Sequence, residues 1–149
     1  MINDLDSLKK NAVIYRLNDD FVIIAGKTAK DNDFISFKVA GPNDYWFHSH
    51  GVPGSHVLLR SLNGEEPDKK TLEIAASVAC YHSKYRTAGV SPVSVTLAKN
   101  VTKPRGVPTG TVSIIKEKTL KVRPNLPNIQ GEKNDLPGNS KNYRRSADD

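Results

Sequence analysis

One Ala-rich segment set among short β-rich runs constrains the fold more than any other feature of the chain. "EEPDKKTLEIAASVACYHSKYR" is the one long stretch with helical periodicity. Pro67 and Asp68 suit its start and Gly89 its end region. Leu72, Ala75, Ala76 and Ala79 make a small-residue face able to lie close on a sheet, and Ile74, Val78, Tyr81 and Tyr85 widen the buried stripe. Upstream, "AVIYRL" (12 to 17) and "FVIIAG" (21 to 26) flank "NDD" and predict a hairpin. "YWFHSH" and "SHVLLRS" predict two more strands around "GVPG", where Gly51, Pro53 and Gly54 are turn residues. Between these pairs, Phe34, Phe37 and Ala40 recur at three-residue spacing, which predicts a short helix capped by Asn32 or Asp33 and stopped by "GPN". Downstream come "PVSVTLA" (92 to 98), "GTVSII" (110 to 115) and "KTLKVRP" (118 to 124), the last two read as a hairpin with one wet face. Strands, then helix, then strands is not the alternation of a parallel α/β sheet. The expected class is α+β: a mostly antiparallel sheet packed against one long Ala-rich helix and a short helix.

A chain of 149 residues fits one compact domain with a real core. Periodicity fades after about residue 127, so the domain is expected over 1–127 and a flexible tail over 128–149. Cys80 is the single cysteine, which excludes an intrachain disulfide and a four-cysteine zinc site. It sits mid-helix on the Ala-rich face, where a thiol is core rather than nucleophile. Apolar runs such as "FVII" and "HVLL" are too short to span a bilayer, and "MINDLDSLKK" lacks the apolar core of a signal peptide. A cytoplasmic protein without a membrane partner is expected.

The formal net charge of +6 is segregated. Residues 1–98 and 128–149 are each balanced, whereas 99–127 carry Lys99, Lys103, Arg105, Lys116, Lys118, Lys121 and Arg123 against Glu117 alone. A polyanionic partner accounts for such a segment; the plainer alternative is a solvated hairpin.

"NDYWFHSHGVPGSHVLLR" holds the only Trp and three of the four histidines. His48 and His50 project from one face of a strand, a spacing that can ligate zinc if His56 or His82 completes the set. No carboxylate follows at short spacing, and Ser55 lacks the trailing glycine of a nucleophile elbow. There is no P-loop and no dinucleotide fingerprint. Binding suits the stretch better than catalysis. The turn's amides and the Ser55 hydroxyl form a candidate anion cradle, and one of Trp46 and Phe47 is expected in the core with the other free as an aromatic platform for a base.

Those residues carry a resemblance. The stretch is similar to the signature of the NFACT-R domain, the RNA-binding domain of the NEMF, RqcH and FbpA (fibronectin-binding protein A-like) family. That signature runs Asp, hydrophobic, Trp, hydrophobic, His, a spacer, then Pro-Gly-Ser-His, met here by Asp44, Trp46, His48, Pro53, Gly54, Ser55 and His56. Upstream, Gly26, Asn32 and Asp33 match a Gly-Arg-x-x-x-x-Asn-Asp stretch; downstream, the Ala-rich helix and the basic hairpin are also similar, over about residues 12 to 127. Lys27 stands where the family usually has arginine, losing a planar fork for phosphate. His50 falls where the family tends to have a small or variable residue, so the His-x-His pair is not a family feature.

The resemblance implies an RNA-binding, non-enzymatic module, without cofactor, whose targets are tRNA, rRNA or the ribosome in translation or ribosome quality control. It is expected to be a stand-alone domain, without the template-free tail synthesis of full-length members. Lys27, Arg60, Lys99, Lys103, Arg105, Lys116, Lys118, Lys121 and Arg123 would contact phosphates. Asn32, Asp33, Asp44, Trp46, His48, Pro53, Gly54, Ser55 and His56 would build or line a pocket behind them. Two alternatives belong to other classes: a metal-dependent hydrolase or nuclease centred on His48, His50 and His56, and a protein-interaction adaptor.

Overall fold

The computed structural model describes residues 2–127; the segment from 128 onward, expected above as a flexible tail, lies outside the described residues. Among the described residues there are eight strands: β1 Ala12–Arg16, β2 Phe21–Gly26, β3 Tyr45–Ser49, β4 Val57–Ser61, β5 Ser91–Leu97, β6 Val101–Thr102, β7 Ser113–Ile114 and β8 Lys118–Val122. Helices are α1 Ile2–Ser7, α2 Ala29–Phe34 and α3 Lys69–Tyr81, with a π turn over Ile35–Val39 continuing α2. Six strands form one sheet in the order β1-β2-β4-β3-β5-β8, every neighbouring pair antiparallel. This is the α+β class expected.

The sheet is covered on both faces. On one side α3 buries Ala75, Ala76, Val78, Ala79 and Cys80 against Ile23, Ala25, Phe47, Val57, Leu59, Val93 and Val95. On the other, Leu5, Leu8, Ile35 and Val101 pack on Val22, Ile24, Trp46 and Leu58. Two-sided cover explains why "FVIIAG" reads as an unbroken apolar run, since every residue of β2 is buried.

α3 starts where expected, with the Asp68 carboxylate accepting from the Thr71 amide at 2.8 Å and from its hydroxyl at 2.7 Å. It stops earlier. Periodicity alone runs to Tyr85, but the chain leaves the helix at His82 and pairs as a β-bridge, Ser83 with Gly54. Two backbone bonds fix that exit: Ser55 N–H to His82 O at 2.9 Å and Lys84 N–H to Pro53 O at 3.1 Å. A Cβ on Gly54 would lie 2.5 Å from Ser83 Cβ, so only glycine permits the approach.

The short helix presents a different face from the one its spacing suggests. Thr28, not Asn32 or Asp33, caps it, accepting from the Asp31 amide at 3.1 Å. Ala40 N–H bonds Ile35 O, a five-residue span, and the wider turn sends Ile35 and Ser36 inward while Phe34 and Phe37 stay 38% and 37% exposed.

The expected terminal hairpin does not form. β7 pairs with β6 in a separate two-stranded sheet, and β8 adds to β5. Between them Lys116 takes φ 58°, turning the chain toward β5. There Thr96 Oγ1 donates to Ile115 O at 2.9 Å and Ser94 Oγ to Glu117 Oε2 at 2.8 Å, so buried polar groups of β5 are satisfied by the incoming segment.

Candidate nucleic-acid interface

The ends of β2, β3 and β4 converge at one end of the sheet, and there an open cleft of about 760 Å³ forms. Lys27, Asn32, Trp46, His48, His50, Pro53, Gly54, Ser55 and His56 all contribute to it, along with His82, Glu117 and the segment 109–112. The motif residues named from sequence are therefore largely brought together. Asp44 is not among them: it lies at the far end of β3, where Arg60 grips its carboxylate at 2.7, 3.1 and 3.2 Å and also donates to Val39 O. Arg60 is thereby corrected from a phosphate contact to the partner of a buried carboxylate.

A polarised hydrogen-bond chain forms the wall of the cleft. His56 Nε2 faces Gly110 O at 3.2 Å, and a carbonyl only accepts, so Nε2 carries the proton. Nδ1 then accepts from Ser36 Oγ at 2.8 Å, and Ser36 Oγ accepts from Trp46 Nε1 at 2.9 Å. Burial, helped by neighbouring His48, pushes the His56 pKa down to about 4, which keeps this neutral tautomer. His48, 5.5 Å from His56 between ring centres, is also held low by burial. Both nitrogens of His56 are engaged, and among the described residues no group of three His, Cys, Asp or Glu side chains is arranged to hold a metal ion.

The aromatic platform expected of the Trp46–Phe47 pair is not available. Their faces alternate as anticipated, but both faces are covered, leaving Trp46 2% and Phe47 0% exposed. Nor is the Pro-Gly-Ser-His turn a free anion cradle. Ser55 N–H is taken by His82 O, Ser55 Oγ donates to Gly26 O at 2.6 Å, and His56 N–H goes to Asn32 Oδ1 at 3.0 Å. Asn32 and Ser55 are clamps that lock the turn to β2 and α2. A Cβ on Gly26 would run into Asn32 Oδ1, which explains the glycine upstream.

The basic residues divide between surfaces. Lys103 is a staple: its ammonium donates to Pro108 O at 2.7 Å and Thr111 O at 2.9 Å and meets Asp33 Oδ2 at 3.1 Å, using all three protons. Asp33 Oδ2 also accepts from the Gly110 amide at 3.1 Å. Lys103→Met should therefore loosen segment 103–112 and cost about 1–2 kcal/mol by urea denaturation, with Asp33 left short of a partner. An unchanged midpoint would return Lys103 to the set of free phosphate contacts. Lys118 and Lys121 lie on opposite faces of β8, since the register pairs Lys118 with Val95 and Lys121 with Pro92. Lys121 shares the cleft face and lies across Pro92 from His50, whose amide bonds Pro92 O at 3.0 Å. Lys99, Arg105, Lys116 and Arg123 are exposed. Lys27 borders the cleft, its ammonium donating to Lys9 O at 2.8 Å. Glu117, the lone acid of the basic segment, is tied to the cleft: Ser94 Oγ gives its proton to Glu117, so His50 Nδ1 donates to Ser94 at 3.0 Å.

Ser36 and segment 109–112 are site residues that the sequence did not signal, and His82, named there only as a possible completion of a zinc set, borders the cleft instead. Each reaches the cleft through a contact more than ten positions away in the chain, which no periodicity records.

Comparison with known proteins gives a consistent result. The family described as "NFACT protein RNA binding domain" matches residues 12–116. The chain is 34% identical over 115 residues to the Rqc2 homolog RqcH of Bacillus subtilis and 35% identical over 112 residues to that of Streptococcus suis, matching 77% and 75% of this chain. It spans only 20% of the length of either relative. Among solved structures, the C-terminal part of the fibronectin/fibrinogen-binding protein from Streptococcus suis superposes with a TM-score of 0.71 at 34% identity, covering 77% of this chain and 46% of that one.

Proposed function

The chain belongs to the NFACT protein RNA binding domain family, and from that premise we propose that it is a non-enzymatic module contacting tRNA, rRNA or the ribosome in cytoplasmic ribosome quality control. The observation that carries this reading is the family match over residues 12–116, which contains every residue of the cleft except Glu117. The segregated positive charge supports it, because phosphate contacts supply most sequence-independent affinity for nucleic acid.

The cleft supplies shape and hydrogen-bonding groups, and Lys27 and Lys121 on its side supply charge. RNA is expected to lie across this end of the sheet, its backbone on the cations and its exposed edges against His48, His50 and segment 109–112.

Fluorescence anisotropy with labelled tRNA, titrated across salt and challenged with duplex DNA, tests the reading. A steep negative salt slope with preference for RNA is expected, each phosphate contact contributing roughly 0.7 to the slope on a single strand. Lys121→Glu should weaken binding about fivefold or more, while Lys118→Glu, facing away from the cleft, should change it about twofold at most. Absence of RNA binding at low salt would sink the proposal, and equal effects of the two reversals would remove the cleft side as the contact face.

A further inference from the structure

A second, smaller cleft of about 490 Å³ opens on the opposite face of the sheet, at the C-terminal end of α3. It is bounded by Lys27, Tyr81, His82, Ser83 and Arg86, and shares Lys27, Pro53, Gly54, Ser55 and His82 with the first. The turn over residues 53–55 is thus a ridge with a cleft on either side. The two differ in charge. Glu117 borders the first, whereas no carboxylate borders the second and two cations do.

Arg86 is held but not neutralised. Its guanidinium carbon lies 3.9 Å over the Tyr81 ring, and neither it nor Lys27 has an ion pair within 4 Å among the described residues. Stacking orients a planar cation while leaving its N–H edge available, and that edge is what a phosphate requires. Below it the cleft is stiff: Tyr15 Oη lies 2.7 Å from His82 Nε2, and the His82 ring meets Tyr81 edge-on at 5.3 Å. Asp31 interacts with Lys27 through charge without an ion pair within 4 Å, and its carboxylate accepts from Asn11 Nδ2 at 2.8 Å.

We propose that this second cleft is a phosphodiester site formed by Arg86 and Lys27, and that a single-stranded RNA segment passes from the histidine cleft over the Pro53–Gly54–Ser55 ridge into it. The inference rests on the RNA-binding reading and deepens it: duplex is too stiff to bend round such a ridge, so the site selects an unpaired end or loop.

The test is anisotropy of the full chain with a labelled single-stranded oligoribonucleotide and with the same sequence as a duplex. Arg86→Glu combined with Lys27→Glu should weaken single-strand binding about tenfold or more and lower the salt slope by about 1.4, two contacts' worth. Arg86→Lys alone should keep the slope but lose part of the affinity, because the stacked fork is gone. A footprint that does not depend on variants runs beside it: acylation of the Lys27 amine in the wild-type chain should be suppressed by bound RNA, and that of Lys118 should not. Unchanged single-strand affinity in Arg86→Glu alone, at a residue that borders the second cleft and not the first, overturns the second site alone, whereas Lys27 equally reactive with RNA bound overturns the second site and removes Lys27 from the first cleft as well. Failure of the wild type to bind any RNA overturns this site and the proposed function together.

Discussion

Replacing Trp46 with alanine should cost about 3–5 kcal/mol of folding free energy, measured by urea denaturation followed in the far ultraviolet. The indole fills the layer between the sheet and the π turn. It meets His56 edge-on at 5.0 Å, and its N–H begins the chain through Ser36 to His56 and Gly110. Truncation removes a large buried ring and leaves Ser36 short of a donor. Trp46→Phe separates the two losses: it retains an aromatic core and should cost about 1–2 kcal/mol. Because the ring is buried, the Phe variant should bind RNA like the wild type. A stable Trp46→Phe protein that no longer bound RNA would make Trp46 a contact residue and refute its assignment to the core.

Stability should also fall as pH drops from 6.5 to 4. His56 is a base whose folded pKa, about 4, lies below its ordinary 6.5, so across that window the unfolded chain takes up the proton and the folded one does not. The contribution is complete above pH 6.5 and is lost progressively toward pH 4, amounting to roughly 3 kcal/mol from this group. His48 and His82, both lowered by burial, act in the same direction. His56→Gln would start less stable but should show a flatter dependence over the same window. Parallel curves for the two proteins would mean that His56 is not buried in its neutral form.

Local signals were legible where the chain's own neighbours decide the structure. The β1–β2 hairpin appears where "NDD" places it, with Asn18 Oδ1 accepting from the Asp20 and Phe21 amides. Asp68 caps α3, and the turn residues Gly51, Pro53 and Gly54 lie between β3 and β4. The errors share one origin. Phe34 and Phe37 have the right spacing for a buried α-helical face, but a π turn changes the angle per residue. Lys103 and Arg60 count as positive charge in any composition, yet each is consumed by a carboxylate distant in sequence, Asp33 and Asp44.

The sequence by itself determined the class of the fold, the presence of five strands and two helices between residues 12 and 98, the motif that carries the family and the segment where the charge lies. These depend on side-chain period, turn chemistry and composition, all readable within a few residues. The tertiary structure alone decided which cations remain free, which rings are covered and that the Pro-Gly-Ser-His turn is a ridge between two clefts. Those properties depend on contacts such as Gly54 with Ser83 and His56 with Gly110, where the partner is fixed by packing and leaves no periodic trace in the chain.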